Sequence, residues 1–202
     1  MNLTSAFEAS IRFPTPIHAE PWLEETPYGL SGHTGSTEPW TAQILYYLVM
    51  ALRPQLVVET GCYLGHTTAW LADALDRLGG GTLHAIDVDA NRVMQAKTYV
   101  DRLNLEHTFL AWHTTHVFKT LSEFPPESID FAWVDDDHDA EHVSQEMEIL
   151  IPRMSRGGLI ALHDVFGEFN LAAVVAKYKG FSLALPVLHN SGGLGLWQKA
   201  VE

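Results

Sequence analysis

An α/β fold, Rossmann-like and doubly wound, is predicted by three features of this 202-residue chain. From residue 56 onward, short apolar runs alternate with amphipathic segments, as parallel strands alternate with crossover helices. The stretch 57–68 reads Val-Val-Glu-Thr-Gly-Cys-Tyr-Leu-Gly-His-Thr-Thr: an apolar run ends in a carboxylate and turns through two glycines into a helical pattern. Polar residues collect just past the apolar runs, at Glu59, Asp87, Thr114-Thr115, Asp135-Asp136-Asp137-His138 and His163-Asp164. In an open parallel sheet that edge is where ligands bind. The expected sheet has seven strands, mostly parallel, with an antiparallel C-terminal hairpin.

Each element follows from local signals. Residues 1–36 carry Pro14, Pro16, Pro21 and Pro27 and little periodicity, so an irregular N-terminal arm is expected, followed by one domain over 37–202. Thr37 or Ser36 can cap a helix whose first turn holds Pro39 and which stops at about Leu52, before Pro54. Strand Leu56–Thr60 leads to helix His66–Leu78, closed by Gly79-Gly80-Gly81. Strand Thr82–Asp87 leads to helix Ala90–Leu103, with Asp89 as its cap. A strand at Thr108–Trp112, a helix around Val117–Glu123, strand Ile129–Val134 and helix Ala140–Met154 come next. Arg156-Gly157-Gly158 reads as a turn before strand Leu159–His163 and helix Glu168–Tyr178. Phe181–Leu188 and Gly195–Lys199, separated by Asn190-Ser191-Gly192-Gly193, form the closing hairpin.

Composition excludes several classes of partner. The formal charge is −13, from 12 Lys plus Arg against 25 Asp plus Glu. A nucleic-acid binder needs a cationic face to replace phosphate counterions, and no such cluster appears. Anionic membrane surfaces are excluded on the same ground, and no apolar run approaches the ~20 residues that span a bilayer. Met1–Ser10 shows no cationic region ahead of an apolar run, and Cys62 is the one cysteine, so a reducing, cytoplasmic setting is expected. Cys62 reads as a small residue beside a ligand, since no basic partner stands near it to make a thiolate. Helix Trp40–Leu52 is apolar enough to serve a homodimer interface as well as the sheet.

The glycine segment offers complementary groups. Glu59 is an acceptor for a cation, and the free N–H groups of the helix's first turn, at Thr67 and Thr68, favour an anion. An amino-acid moiety has both charges. A dinucleotide would place its pyrophosphate here, and Glu59 would repel it.

Taken together, these residues resemble a class I S-adenosylmethionine-dependent methyltransferase. The glycine segment is similar to the small-molecule O-methyltransferases of the catechol and caffeoyl-CoA type. Residues 133–142, Trp-Val-Asp-Asp-Asp-His-Asp-Ala-Glu-His, with 157–165, Gly-Gly-Leu-Ile-Ala-Leu-His-Asp-Val, resemble the group called methyltransferase family 24. The resemblance covers about residues 38–200. It implies that Asp87 accepts hydrogen bonds from both ribose hydroxyls, a task suited to an acceptor-only, bidentate group. It implies that Glu59 and Gly61 face the methionine part, Glu59 meeting the ammonium directly or through water. Thr67 would hold the carboxylate, Tyr63 and Gly65 would shape the pocket, and Thr114 would lie near the adenine. Trp112 or His113 would stack nearby, with core packing the alternative for Trp112.

The acceptor side implies an enzyme acting on a small molecule, most simply at oxygen. A hydroxyl acceptor needs a general base or a dication that lowers its pKa. Asp135 and Asp164 match positions where catechol-type enzymes hold magnesium, but Val165 stands where they place a third, asparagine ligand. Either His163 or Asp136 substitutes for it, or no ion binds. Hard oxygen ligands favour Mg or Mn, and a histidine in the set admits Zn or Fe. His138 falls where those enzymes keep a catalytic lysine, and an imidazole there can take a proton near neutral pH. The neighbouring aspartates should raise its pKa. His142, one turn later on the same helix side, is a secondary candidate, and His33, His66 and His189 are further candidates for the pocket border. Two alternatives stay open: a non-catalytic S-adenosylmethionine-binding protein, and an NAD-dependent oxidoreductase.

Overall fold

Alternation of apolar runs and amphipathic segments produces an α/β sandwich. The computed structural model describes residues 37–167, 170–185 and 192–201. The expected arm over 1–36, His33, His189, the start of the helix expected at Glu168, the strand end at 186–188 and Asn190-Ser191 of the hairpin turn lie outside them.

The elements run α1 (Pro39–Leu52), β1 (Leu56–Thr60), α2 (His66–Arg77), β2 (Gly81–Asp87), α3 (Ala90–Val100), a 3₁₀ turn (Asp101–Leu103), β3 (Thr108–Thr114), α4 (Val117–Glu123), β4 (Ile129–Val134), α5 (Ala140–Arg153), β5 (Met154–His163), α6 (Leu171–Val175), β6 (Phe181–Leu185) and β7 (Leu194–Gln198). The seven strands order as β3-β2-β1-β4-β5-β7-β6. Strands β1 to β5 are parallel, while β7 runs antiparallel to both β5 and β6. Strand order reverses between β1 and β4, which places the topological switch point beside Thr60 and Val134.

Apolar strand interiors explain the burial. Val58, Ile86, Ala132, Val134, Ile160 and Leu162 pack on one face with Val117 and Leu121 of α4 and Val143, Met147 and Leu150 of α5. Each of these side chains larger than alanine contributes about 1.5–3 kcal/mol by leaving water. On the opposite face, Cys62, Ala85, Val93 and Ala96 form a smaller cluster against Trp112. Trp112 therefore serves packing. The fully buried Tyr46 of α1 stacks edge-on with Trp70 of α2, at 5.9 Å between centroids.

Several boundaries differ from expectation: α3 stops at Val100 and passes into the 3₁₀ turn, β3 runs on to Thr114, and three more differ for physical reasons. The N-cap of α1 is Glu38, and it makes no side-chain cap bond. Thr37 is not the cap, because its hydroxyl donates to Asp135 instead. Arg156-Gly157-Gly158 is not a turn between elements but part of β5. There the register jumps from the Ile129–Met154 pair to the Phe131–Leu159 pair, and Gly157 takes φ +76° to absorb the extra chain. The helix expected over 168–178 is the shorter α6.

Candidate active site

The polar edge assembles as the sequence pattern requires, starting with the β1–α2 turn. Gly61 N–H and Cys62 N–H both donate to Ile86 O, at 2.9 and 3.0 Å, which ties the turn to the end of β2. Gly61 has φ +76°, and a Cβ there would run into the Asp135 carbonyl and come within 2.6 Å of Asp136 Cα. Gly65 has φ +86°, and a Cβ would sit 2.9 Å from Ala96 Cα. The glycines are thus required first by close approach to β4 and α3, a reason the spacing alone does not reveal. Gly61→Ala is expected to cost at least ~3 kcal/mol, read as a lower midpoint in urea unfolding, because strained φ and a backbone clash coincide. An unchanged midpoint would contradict this packing.

Asp87, at the end of β2, is nearly buried and holds the turn. Its Oδ2 accepts from Tyr63 N–H at 3.1 Å and its Oδ1 from Asp89 N–H at 2.9 Å. Each oxygen keeps a lone pair for a further donor. Tyr63 sits at φ +45°, and its ring lies under the Arg92 guanidinium, 5.0 Å from the centroid. Asp89 caps α3 as expected, accepting from Asn91 and Arg92 N–H. Thr114 pairs with Asp87 in the β2–β3 register and is exposed. His113 turns away to pair with His84 at 2.8 Å, in a stack beside Phe124.

Glu59 is fully buried at the end of β1. Among the described residues neither carboxylate oxygen has a hydrogen bond of standard geometry, with the Thr68 hydroxyl the neighbouring donor. Burial pushes its pKa up to about 8, and the charges of Asp135 and Asp87 add to the rise. A group this starved of counter-charge is suited to an incoming cation. Cys62 is buried too, and burial raises its thiol far above the usual range, which leaves no thiolate at neutral pH.

The second half of the site is a chain of charged groups around His163. His163 Nδ1 lies 2.9 Å from Asp135 Oδ1, and His163 Nε2 lies 3.0 Å from Glu38 Oε2. His138 Nε2 lies 3.5 Å from Asp135 Oδ1 and 3.8 Å from Asp164 Oδ2. Asp135 Oδ2 accepts from the Thr37 hydroxyl at 2.7 Å, which in turn accepts from the Thr67 hydroxyl at 2.9 Å. Thr67 therefore gives its donor to Thr37, and the first-turn backbone N–H groups of α2 are the donors left for an anion. Burial opposes charge on Asp135, yet His163 and His138 outweigh it and bring its pKa down to about 2. Burial also opposes charge on His163, and Asp135 and Glu38 reverse that, holding its pKa well above the ordinary value. For His138 the hydrogen bond to Asp135 is the largest influence, and it raises the pKa despite burial. Asp164 sits at φ +48°, and its Oδ1 accepts from Gly192 N–H at 2.8 Å.

Two expectations change here. His142 does not join His138, because its Nε2 pairs with Asp136 at 2.9 Å and its ring packs on Phe118. Asp137 likewise turns to its own backbone, accepting from Asp139 N–H. The acids beside His138 are thus Asp135 and Asp164, not three consecutive aspartates. Sequence reasoning missed Thr37 and Glu38 as site residues and saw His163 only as a stand-in metal ligand. Glu38 and His163 are 125 residues apart, and no local pattern links them. Val165 is fully buried, so no side-chain ligand follows Asp164. Asp135, His138 and His163 each place one donor atom within 4.8 Å of the others, as do Glu38, His163 and Asp164, so two carboxylate–histidine sets have the spacing of metal ligands.

A seven-stranded sheet ordered β3-β2-β1-β4-β5-β7-β6, with β7 antiparallel and the glycine turn at the reversal, is the class I S-adenosylmethionine-dependent methyltransferase fold. The chain belongs to the methyltransferase-domain family, whose model matches residues 58–165, from the Glu59 turn through Asp164. It is 25% identical over 146 residues to the rhamnosyl O-methyltransferase of Mycobacterium tuberculosis, an alignment covering 71% of this chain and 58% of that protein. The chain thus spans less than two thirds of this curated relative. Its fold is similar to a methyltransferase from Geobacter sulfurreducens, with TM-score 0.68, 19% identity and coverage of 81% and 80% of the two chains. It is also similar to the O-methyltransferase TomG from Streptomyces achromogenes, solved with S-adenosylmethionine, with TM-score 0.66, 14% identity and coverage of 98% and 96%. Among the described residues no helix is long and apolar enough to cross a membrane.

Proposed function

We propose that this protein transfers a methyl group from S-adenosylmethionine to a hydroxyl of a small molecule. The observation that supports this most is the adjacency, at the switch point, of a nucleoside cradle and a proton-handling network. Gly61 joins the two, donating to Ile86 O on one side and lying against the Asp135 backbone on the other. On this reading Asp87 receives the ribose hydroxyls through its remaining lone pairs, and Tyr63 and Thr114 border the nucleoside. Glu59 meets the ammonium group. Gly65, Thr67 and the start of α2 frame the carboxylate.

In-line displacement forms the O–CH₃ bond as the sulfonium C–S bond breaks, leaving a neutral thioether. The hydroxyl proton goes to neutral His138 at the ring nitrogen that does not face Asp135, since Nε2 lies against the Asp135 and Asp164 carboxylates. Asp135 orients His138 and stabilises the imidazolium that results. Charged His163, held between Asp135 and Glu38, fixes the position of Asp135. With His163 neutral, Asp135, His138 and His163, or Asp164 with His163 and Glu38, would hold a dication that lowers the pKa of the acceptor hydroxyl. Imidazoles in both sets suit a transition metal better than the magnesium suggested by Asp135 and Asp164 alone. The rhamnosyl relative favours an oxygen acceptor. A domain over 37–202 with a separate arm over 1–36 belongs to the same proposal, as do a homodimer through exposed Trp40, Tyr47 and Leu52 of α1 and a cytoplasmic setting.

Release of S-adenosylhomocysteine and a labelled methyl product from a panel of phenols and sugars tests the reaction. Product with at least one hydroxyl acceptor is expected, and methylation of amines alone would contradict it. Glu59 gives a second test. With a folded pKa of about 8 against an ordinary 4.5, it is mostly protonated at pH 7 without ligand. An ammonium group beside it favours the carboxylate, so cofactor binding should release close to one proton at pH 7. Calorimetry in buffers of different ionisation enthalpy reads this directly. No released proton, or the same release from Glu59→Gln, would contradict the role of Glu59.

A further inference from the structure

A second cluster lies next to the first, and methyl transfer leaves it unused. Asp136 follows Asp135 in the β4–α5 loop, yet its Oδ2 pairs with His142 Nε2 at 2.9 Å. The same Nε2 lies 4.0 Å from Glu146 Oε2. One donor atom from each of the three residues lies within 4.8 Å of the other two. Glu146 is fully buried one turn beyond His142 on α5. Among the described residues neither of its oxygens has a hydrogen-bond partner of standard geometry, and Asp136 Oδ1 is in the same condition.

A buried carboxylate without donors is costly. Burial and the Asp136 charge both push Glu146 toward its neutral form. Neutral Glu146 can share its proton with Asp136, with the Thr60 hydroxyl the neighbouring donor, but among the described residues Asp136 Oδ1 and the second Glu146 oxygen still lack a hydrogen bond of standard geometry. A cation between the three residues would meet all of them.

We propose that Asp136, His142 and Glu146 form a transition-metal site, with zinc as the fitting ion. The separations of 2.9 and 4.0 Å bracket the ~3.3 Å between neighbouring ligands on a tetrahedral ion with bonds of ~2.0–2.1 Å. His142 and Glu146 stand at i and i+4 on α5, a spacing that presents both to one side. One imidazole with two carboxylates suits zinc-type ions and disfavours magnesium and calcium. The side chains of Asp136 and His142 are each 18% exposed, which leaves an entry path to a site whose floor is Glu146. Phe118 covers the imidazole face at 4.7 Å between centroids, with His116 beyond it at 6.2 Å. A bound ion fastens the β4–α5 loop to the helix that follows it, and so steadies Asp135 one residue away. The assignment stands apart from the methyl-transfer reading.

The test is calorimetric titration of the chelator-stripped, full-length protein with zinc, with cobalt(II) as the visible-absorption probe. Asp135, His138 and His163 also offer ligands, so the titration is repeated in His163→Asn. One equivalent of zinc should persist in that background. Adding Glu146→Gln or His142→Ala to it should weaken zinc binding by more than ~100-fold and abolish the cobalt band, since loss of an outer partner alone costs 10–100-fold. Far-ultraviolet circular dichroism checks folding, and His142→Ala, at the partly exposed position, decides the matter if Glu146→Gln does not fold. Absence of zinc binding in His163→Asn would overturn the proposal, as would affinity unchanged in His142→Ala.

Discussion

Replacing Asp87 with alanine is expected to raise the dissociation constant for S-adenosylhomocysteine at least ~100-fold. Two hydrogen bonds from ribose hydroxyls to one carboxylate are charge-assisted, each contributing about 1.5–3 kcal/mol, and their loss reaches that factor readily. The geometry adds a second consequence. Asp87 also accepts from the backbone N–H groups of Tyr63 and Asp89, so alanine strips two part-buried donors of their partner. A loss of ~1–3 kcal/mol in unfolding free energy should accompany the loss of affinity. Calorimetry and urea unfolding on the same variant read both. Undiminished affinity would remove Asp87 from the site, and unchanged stability would mean that the turn finds its own partners.

His138→Gln should lower kcat by ~10²–10⁴ while leaving the affinity for S-adenosylhomocysteine within about twofold, because a general base acts on the acceptor proton and not on the cofactor. The pH dependence fixes the sign. A base works only when deprotonated, so kcat/KM in the wild type should rise with pH. Asp135 holds the folded pKa of His138 above its ordinary 6.5, so the rise should be centred on the alkaline side of that value. Asp135→Asn removes the largest influence and should move the rise toward acid. A pH profile that does not move in Asp135→Asn would place the titrating group elsewhere. An undiminished kcat in His138→Gln would eliminate the base.

The fold was legible because strand interiors are apolar and their polar ends are not. Strands Leu56–Thr60 and Ile129–Val134 lie where the apolar runs stand, and the switch point falls at the glycine turn that draws the eye in the sequence. Boundaries failed where glycine was read as punctuation. Gly157 and Gly158 sit inside β5, because a register shift against β4 accommodates the extra residues without ending the strand. Asp135, His138 and Asp164 were legible as a group, since each follows a strand end on the ligand-binding edge. Glu38 and Thr37 were not. They look like helix-start residues, and only tertiary packing brings them to His163 and Asp135. His142 shows the converse limit. Spacing of four predicts a shared helix side with His138, but spacing says nothing of which aspartate each imidazole meets, and Asp136 draws His142 to a different cluster.

A crystal structure of the full chain with S-adenosylhomocysteine tests the central claim most directly. The account predicts both ribose hydroxyls within hydrogen-bond distance of Asp87, the amino group at Glu59, and the thioether sulfur facing His138. A nucleoside bound elsewhere, or a cleft between β1 and β4 filled by protein side chains, would contradict it.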